Sequence, residues 1–284
     1  MANNKRVDFI GIGAGKCGST WIYDNLVKHP KICNRNLKEL NYFSDLFEEH
    51  PPQWYDSQFK SCASGLLKGE FSVTYLPHPQ AAERIKKHLP DIKLIAIFRD
   101  PVKRTFSNYL HSLRKGDIAS SLTFSEYVNS EENLASSRYA DLLAPFVANF
   151  KREQILVVIL EKFTQDIRDG YRRTFSFLEV EEPEFFLPEF EARRNVARSY
   201  RFMKLENFLV QTYRWLCRSG YTRFVKAFID MGLAQLFRSI NSVDRPLPVM
   251  DEDSRQKLTT YFKPFNQELS VMIDEDLSCW DHQD

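Results

Sequence analysis

The stretch GIGAGKCGST, residues 11–20, decides the fold because it has the character of a glycine-rich turn between a strand and a helix. An ATPase phosphate loop requires Gly, four residues and then Gly-Lys-Ser/Thr. Gly15 and Lys16 match this pattern, but Ile10 stands at the first glycine position and Cys17 at the Ser/Thr position. The hydroxyl missing after the lysine is the one that would hold Mg²⁺. The stretch therefore predicts a phosphate or sulfate cradle without the usual magnesium ligand.

Strand and helix patterns alternate along the chain on both sides of this loop. Apolar runs predict strands at 7–11, 68–76, 93–99 and 155–160. Helical spacing predicts helices at 20–29, 81–88, 101–113 and 167–178. Such alternation is typical of an α/β fold with a parallel sheet and right-handed crossovers, which binds ligands at the carboxyl ends of its strands. We expect a single domain, residues 1–284, with a central parallel sheet flanked by helices.

Size and composition are those of an ordinary globular protein. The 284 residues are 43% hydrophobic and 27% charged, and the net charge is +1. This charge balance gives no reason to expect nucleic acid as a partner. No apolar run is long enough to span a membrane, and the N-terminus lacks the pattern of a signal peptide. We therefore expect no transmembrane segment and a cytoplasmic location.

The cysteines and histidines show no metal-binding or disulfide pattern. The five cysteines are odd in number, widely spaced and without a CxxC pair: Cys17, Cys33, Cys62, Cys217 and Cys279. This spacing argues against a disulfide framework and against structural zinc. The six histidines form no HExxH motif. We expect no metal site.

A second phosphate-binding element follows in KLIAIFRDPVKRTFSNY, residues 93–109. Arg99 falls at the carboxyl end of the predicted strand, and Ser107 lies eight residues later in the next helix. An arginine fork with a hydroxyl is well suited to phosphate. Asp100 precedes Pro101, where it can cap the helix rather than hold a metal. The crevice thus contains two phosphate-binding elements without evident metal ligands.

Together these elements resemble the sulfotransferases. GAGKCGSTWIYDNLVKHP, residues 13–30, resembles their 5′-phosphosulfate loop, and IFRDPVKRTFSNY, residues 97–109, resembles their 3′-phosphate element. The resemblance implies a P-loop-like three-layer α/β fold. It also implies 3′-phosphoadenosine 5′-phosphosulfate (PAPS) as co-substrate and sulfuryl transfer that requires no metal.

The resemblance assigns the donor site residue by residue. It implies that the donor is held by the loop and the first helical turn, namely Lys16, Cys17, Gly18, Ser19, Thr20 and Trp21. Lys16 would stabilise the bridging oxygen, and Arg99 with Ser107 would bind the 3′-phosphate. Arg198, in the arginine-rich segment 192–201, would reach the same phosphate or lie in solvent.

The acceptor side resembles heparan sulfate sulfotransferases. KELNYFSD, residues 38–45, is similar to their KE-x-H-F-F-D segment, which makes Glu39 the candidate general base. GEFSVTYL, residues 69–76, is similar to their E-K-x-x-x-Y-F strand and includes Glu70. Glu70 is the second candidate base, with a purely structural role as the alternative.

Two departures from the heparan-type pattern are present. Asn41 replaces a histidine, and Phe71 replaces a strand lysine. They favour a bacterial cytoplasmic relative that acts on a smaller acceptor. The late segment 244–269 also resembles the C-terminal helix of those enzymes, whereas 200–243 has no counterpart and is expected to be a helical insertion.

The segment 200–245 is aromatic and basic, with eight Lys and Arg against three Asp and Glu. One interpretation is a pair of helices whose basic faces lie in water. The other is a lid or a peripheral docking surface for an anionic acceptor, a carrier protein or a membrane.

The predicted reaction is in-line transfer of a sulfuryl group from PAPS to an acceptor hydroxyl, with release of adenosine 3′,5′-bisphosphate. The acceptor class stays open among small molecules, lipids, sugars and intermediates bound to a carrier protein. Two other classes compete with this interpretation. One is a P-loop nucleotide kinase or NTPase, which would need Mg²⁺, and the other is a non-catalytic nucleotide-binding module.

Overall fold

A computed structural model describes residues 7–34, 37–181, 199–200, 212, 242–243 and 248–281. Among these, 7–105, 131–181 and 255–281 form one compact unit. Residues 106–130 belong to a second unit, together with 199–200, 212, 242–243 and 248–254. The single domain expected from the sequence stays a prediction.

The first unit is built on a four-stranded parallel sheet, which confirms the predicted fold class. Its strands are β1 (Phe9–Gly13), β2 (Gly69–Phe71), β3 (Lys93–Phe98) and β4 (Ile155–Ile159), in the order β2-β1-β3-β4. Strand β2 is shorter than the predicted 68–76, because a turn closed by the Tyr75 N–H and the Ser72 carbonyl, 3.2 Å apart, follows it.

Helices alternate with the strands along the chain. They are α1 (Ser19–Leu26), α2 (Pro52–Ser57), α3 (Ala81–His88), α4 (Pro101–Lys115), α5 (Phe124–Tyr127), α6 (Glu131–Ala135), α7 (Tyr139–Asn149), α8 (Leu160–Gln165), α9 (Ile167–Phe177) and α10 (Glu252–Ile273). In the described part of the chain, none of these helices is long and apolar enough to cross a membrane.

Strands β1 and β2 fit together through two glycine–phenylalanine pairs. In the parallel register, Gly11 stands beside Phe71 and Phe9 beside Gly69. A Cβ atom on Gly11 would lie 2.2 Å from the Phe71 ring, and one on Gly69 would lie 2.3 Å from the Phe9 ring. The rings therefore occupy the space of the absent side chains, and Phe71 is a fully buried core residue. This explains why an apolar residue stands where the heparan-type pattern has lysine.

A disulfide joins Cys33 to Cys62, with their Cα atoms 5.7 Å apart. The expectation that the cysteines form no disulfide is wrong for this pair. The two cysteines are 29 positions apart in the sequence, and the fold brings them together. Ile32 forms a parallel bridge with Leu67, and the Cys33 N–H donates to the Leu67 carbonyl at 2.8 Å. Spacing along the chain does not reveal such a contact.

The second unit contains an aromatic cluster on helices α4 and α5. Phe106 and Tyr109 pack against Phe124 at ring distances of 4.9 and 5.3 Å, and Tyr109 also contacts Tyr127 at 5.3 Å. Strands β5 (Ser199–Tyr200) and β6 (Ser242–Val243) form an antiparallel pair in the same unit. The predicted insertion at 200–243 otherwise lies outside the described residues.

Candidate active site

The loop between β1 and α1 has the backbone of an anion cradle. Lys16 and Gly18 both have positive φ angles, 70° and 83°, which turn the chain sharply before the helix. A Cβ atom on Gly18 would lie 3.1 Å from a methyl group of Leu160, so glycine fits this position best. The first N–H groups of an α-helix have no partner within the helix and attract anions. The first turn of α1 starts at Ser19, directly after the loop, so both are suited to one anionic ligand.

Three of the predicted donor-site side chains are buried. Cys17 is fully buried, with its Sγ 3.5 Å from the Tyr139 hydroxyl. Trp21 packs edge-on against Phe163 at 5.7 Å, and Ser19 is also buried. Burial raises the pKa of the Cys17 thiol. These residues therefore shape the loop and present backbone groups to a ligand.

Arg99 and Asp100 follow β3 at the carboxyl edge of the sheet, as predicted. The Tyr139 hydroxyl donates to the Arg99 carbonyl at 2.8 Å and holds this turn next to the loop. The Asp100 Oδ1 accepts from the Val102 N–H at 2.9 Å, so the predicted helix cap is confirmed. The Asp100 N–H in turn donates to the Glu161 carboxylate at 3.2 Å.

Ser107 lies on α4, half-buried, on the part of the helix that belongs to the second unit. Its joint role with Arg99 at a 3′-phosphate stays a prediction. Arg198 and most of the segment 192–201 lie outside the described residues.

Lys38 connects the predicted donor loop to the predicted base. Its Nζ donates to the Thr20 Oγ1 at 2.6 Å and to the Glu39 Oε1 at 3.3 Å. The side chains of Lys38 and Glu39 are 16% and 19% exposed, so both are partly shielded and still accessible. The contact of Lys38 with both Thr20 and Glu39 was not predicted from the sequence. The position of Lys38 next to the base in the KE motif was the available signal.

Glu70 is surrounded by three side-chain hydroxyl groups. Its carboxylate accepts from Tyr75 at 2.7 Å, from Ser72 at 2.6 Å and from Tyr55 at 3.4 Å. The side chain is fully buried. Burial raises the pKa of Glu70 to about 8, although the three hydroxyl groups act in the opposite direction.

The same hydroxyl groups hold the backbone that follows Glu39. The Asn41 N–H donates to the Ser72 Oγ at 3.0 Å, and the Tyr42 N–H donates to the Tyr75 hydroxyl at 3.0 Å. Glu39 and Asn41 have left-handed φ angles of 57° and 54°. Such a conformation costs about 1 kcal/mol or more for a residue other than glycine and persists only where its surroundings hold it.

Asn41 suits this position because asparagine tolerates the left-handed region better than most residues. Its Oδ1 accepts from the Thr74 hydroxyl at 3.1 Å, and Thr74 is 2.7 Å from the Ser44 hydroxyl. The residue that replaces the heparan-type histidine is thus part of a polar cluster beside Glu39. In the described ranges, no group of three or more His, Cys, Asp or Glu side chains is arranged to hold a metal ion.

A sequence profile of the sulfotransferase domain matches residues 6–268. The chain belongs to the sulfotransferase family. It is 26% identical over 286 residues to human bifunctional heparan sulfate N-deacetylase/N-sulfotransferase 3, covering 93% of this chain and 29% of that protein. It is 30% identical over 175 residues to mouse heparan sulfate glucosamine 3-O-sulfotransferase 3B1, covering 59% and 44%. The predicted similarity to heparan sulfate sulfotransferases is therefore confirmed.

A third relative is the membrane-associated sulfotransferase kil1 of Dictyostelium discoideum. It is 36% identical over 110 residues, which are 38% of this chain and 23% of that protein. The sulfotransferase chain spans less than half the length of each of these three relatives.

A solved sulfotransferase from Alicyclobacillus acidocaldarius has the same fold, with a TM-score of 0.67. The match covers 97% of this chain and 99% of that protein, at 23% sequence identity. This likeness confirms the predicted P-loop-like α/β architecture.

Proposed function

We propose that this chain transfers a sulfuryl group from PAPS to an acceptor hydroxyl and releases adenosine 3′,5′-bisphosphate. The observation that carries the proposal is the contact of Lys38 with both Thr20 and Glu39. One ammonium group thereby joins the anion-binding loop to an accessible carboxylate. A sulfuryl group held on the loop would lie next to a base that can take the acceptor proton.

On the donor side, the backbone of the loop and the first turn of α1 bind the 5′-phosphosulfate. The Lys16 ammonium stabilises the bridging oxygen as negative charge develops there. Arg99 and Ser107 bind the 3′-phosphate and so select PAPS over ATP. Positioning and charge stabilisation by these groups need no metal ion, in line with a loose transition state.

On the acceptor side, Glu39 takes the proton. Its side chain is 19% exposed, whereas Glu70 is fully buried and its oxygens already accept from three hydroxyl groups. A general base must reach the proton that it abstracts, which favours Glu39. Glu70 then acts as a positioning residue, because Ser72 and Tyr75 donate to it and hold the backbone amides after Glu39.

The acceptor is a hydroxyl compound smaller than a glycosaminoglycan chain. Asn41 and Phe71 stand where heparan-type enzymes have histidine and lysine, and Phe71 is buried in the core instead of facing the loop. Peripheral docking of an anionic acceptor through the basic segment 200–245 belongs to the same proposal.

Transfer of labelled sulfate tests the reaction. The protein is incubated with PAPS labelled in its sulfuryl group, in EDTA, against panels of phenols, sugars, lipid alcohols and carrier-bound hydroxyacyl groups. We expect a labelled ester from one panel. Phosphorylation of an acceptor by ATP in Mg²⁺ would support the kinase class. Tight binding of the bisphosphate without transfer to any panel would support the non-catalytic module.

A further inference from the structure

Arg104 is a buried cation behind the anion-binding loop. It lies on α4 and is only 6% exposed. Its Nε donates to the Gly15 carbonyl at 3.1 Å. A terminal guanidinium nitrogen donates to the hydroxyl of Ser136 and, at 3.3 Å, to that of Ser137. All of these acceptors are neutral oxygens.

A buried charge normally requires an opposite charge nearby, since burying an unpaired ion costs several kcal/mol. In the described ranges, Arg104 forms no ion pair with a carboxylate. Two other arginines of the first unit do have carboxylate partners: Arg138 pairs with Glu131 and Asp141, and Arg173 pairs with Glu275. Arg104 therefore contributes positive charge to this part of the fold, which an anion on the loop would compensate.

The contact with Gly15 also sets the direction of the loop peptide. The Gly15–Lys16 peptide is trans, so its carbonyl and its N–H point in opposite directions. Arg104 holds the Gly15 carbonyl on the α4 side. The Lys16 N–H is consequently turned to the other side of the loop, where the first turn of α1 faces its ligand. A cation bound to the carbonyl end also strengthens the peptide dipole toward that ligand.

We propose that Arg104 is a positioning residue for the donor, which orients the Gly15–Lys16 peptide and supplies the buried charge that the 5′-phosphosulfate neutralises. The proposal rests on the proposed PAPS site. It predicts that Arg104 affects ligands that carry a 5′-phosphate and leaves binding through the 3′-phosphate unchanged.

Calorimetry tests this selectivity. Wild type, Arg104→Gln and Arg104→Lys are titrated with adenosine 3′,5′-bisphosphate, adenosine 5′-monophosphate and adenosine 3′-monophosphate. We expect Arg104→Gln to weaken both 5′-phosphate ligands by about tenfold or more, as loss of a charge near an anion does. Adenosine 3′-monophosphate should change by less than about twofold. Arg104→Lys keeps the charge but not the fork of hydrogen bonds, so its affinity for the 5′-phosphate ligands should lie between those of Arg104→Gln and wild type.

Arg152→Gln is the matched control, because Arg152 also donates to backbone carbonyls, of Ile155 at 2.9 Å and of Ile273 at 3.1 Å. It should bind all three ligands as wild type does. Equal weakening of the 3′- and 5′-monophosphates by Arg104→Gln would show a merely structural role and overturn the proposal, as would unchanged binding of the bisphosphate. If Arg104→Gln does not fold, Arg104→Lys takes its place. Equally weakened binding of all three ligands by Arg104→Lys would then overturn the proposal. Failure of the wild type to bind the bisphosphate would instead overturn the proposed function.

Discussion

The two halves of the candidate site are built in different ways. The donor half is a short loop whose shape follows from its own backbone, with left-handed turns at Lys16 and Gly18 and one buried arginine behind it. The acceptor half holds Glu39 through contacts from another segment, in which Ser72 and Tyr75 bind the amides that follow it. The shape of the donor loop is therefore set mainly by residues close together in the sequence. The acceptor half depends on distant side chains, and it is the half that departs from the heparan-type pattern.

Both halves nevertheless contain a functional residue whose backbone is held in the left-handed conformation. Among the described residues, five other than glycine have a positive φ, and Lys16, Glu39 and Asn41 are three of them. The difference lies in what holds each conformation. Substitutions on the two sides should therefore separate donor binding from chemistry.

Lys16→Met should have the largest effect. Loss of the charge at the bridging oxygen should lower kcat by about a thousandfold, the upper range for removal of one group that stabilises developing charge. The measurement is the steady-state rate of sulfate transfer. Lys60→Met, at an exposed lysine, is the control and should retain full activity. A kcat of Lys16→Met within tenfold of wild type would remove Lys16 from the proposed mechanism.

Glu39→Gln should lower kcat by about a hundredfold, the lower range for loss of a general base. Binding of adenosine 3′,5′-bisphosphate should stay unchanged, because the carboxylate belongs to the acceptor half. Comparison of kcat with the calorimetric Kd checks both statements, with Glu49→Gln as the control at an exposed position. Full kcat in Glu39→Gln would show that another group is the base.

Glu70→Gln should lower kcat by about tenfold, an estimate for a displaced rather than a missing base. It should also change how stability depends on pH. The pKa of Glu70 is raised to about 8 in the folded state, above its ordinary value of 4.5. The folded state then holds a proton that the unfolded state releases, so wild type loses stability as the pH rises from about 4.5 to about 8.

Urea unfolding at pH 5, 6, 7 and 8 measures this loss. For wild type, this one group should lower the free energy of unfolding by at most about 1.4 kcal/mol per pH unit. Glu70→Gln cannot titrate and should lack that contribution. If the free energies of unfolding of the two proteins changed with pH in the same way, this would contradict the raised pKa of Glu70 and its positioning role as a buried protonated carboxyl.

Removal of the disulfide should have the smallest effect on activity and a clear effect on stability. Cys33 and Cys62 lie on either side of the segment that contains Glu39. Closing a loop of this length contributes about 3 to 4 kcal/mol by restricting the unfolded chain. Wild type should unfold at a lower temperature in reductant, while Cys33→Ser/Cys62→Ser should be insensitive to it. Equal insensitivity of wild type would show that the bond does not form in solution.

The disulfide also bears on where the protein works. Disulfides form in oxidising compartments and are rare in the cytosol. Whether the Cys33–Cys62 bond forms in the cell would therefore distinguish an oxidising compartment from the cytoplasm expected from the sequence. The cytoplasmic location and the bacterial origin stay predictions.

The loop at Lys16 and the turn at Arg99 could be predicted because each is a contiguous stretch beside a strongly apolar strand. The strand at 68–76 was predicted too long, because its β-rich composition hides the turn between Ser72 and Tyr75. The hydroxyl groups around Glu70 include that of Tyr55 from α2, a contact that no local sequence pattern predicts. Arg104 stands inside the recognised motif, yet only the structure shows that it is buried.

Calorimetric titration with adenosine 3′,5′-bisphosphate in EDTA tests the central claim most directly. We predict saturable 1:1 binding without any metal and much weaker binding of ATP, with or without Mg²⁺, because ATP lacks the 3′-phosphate and the loop lacks a magnesium ligand after Lys16. Binding of ATP that requires Mg²⁺, with no binding of the bisphosphate, would contradict the sulfotransferase site and favour a kinase.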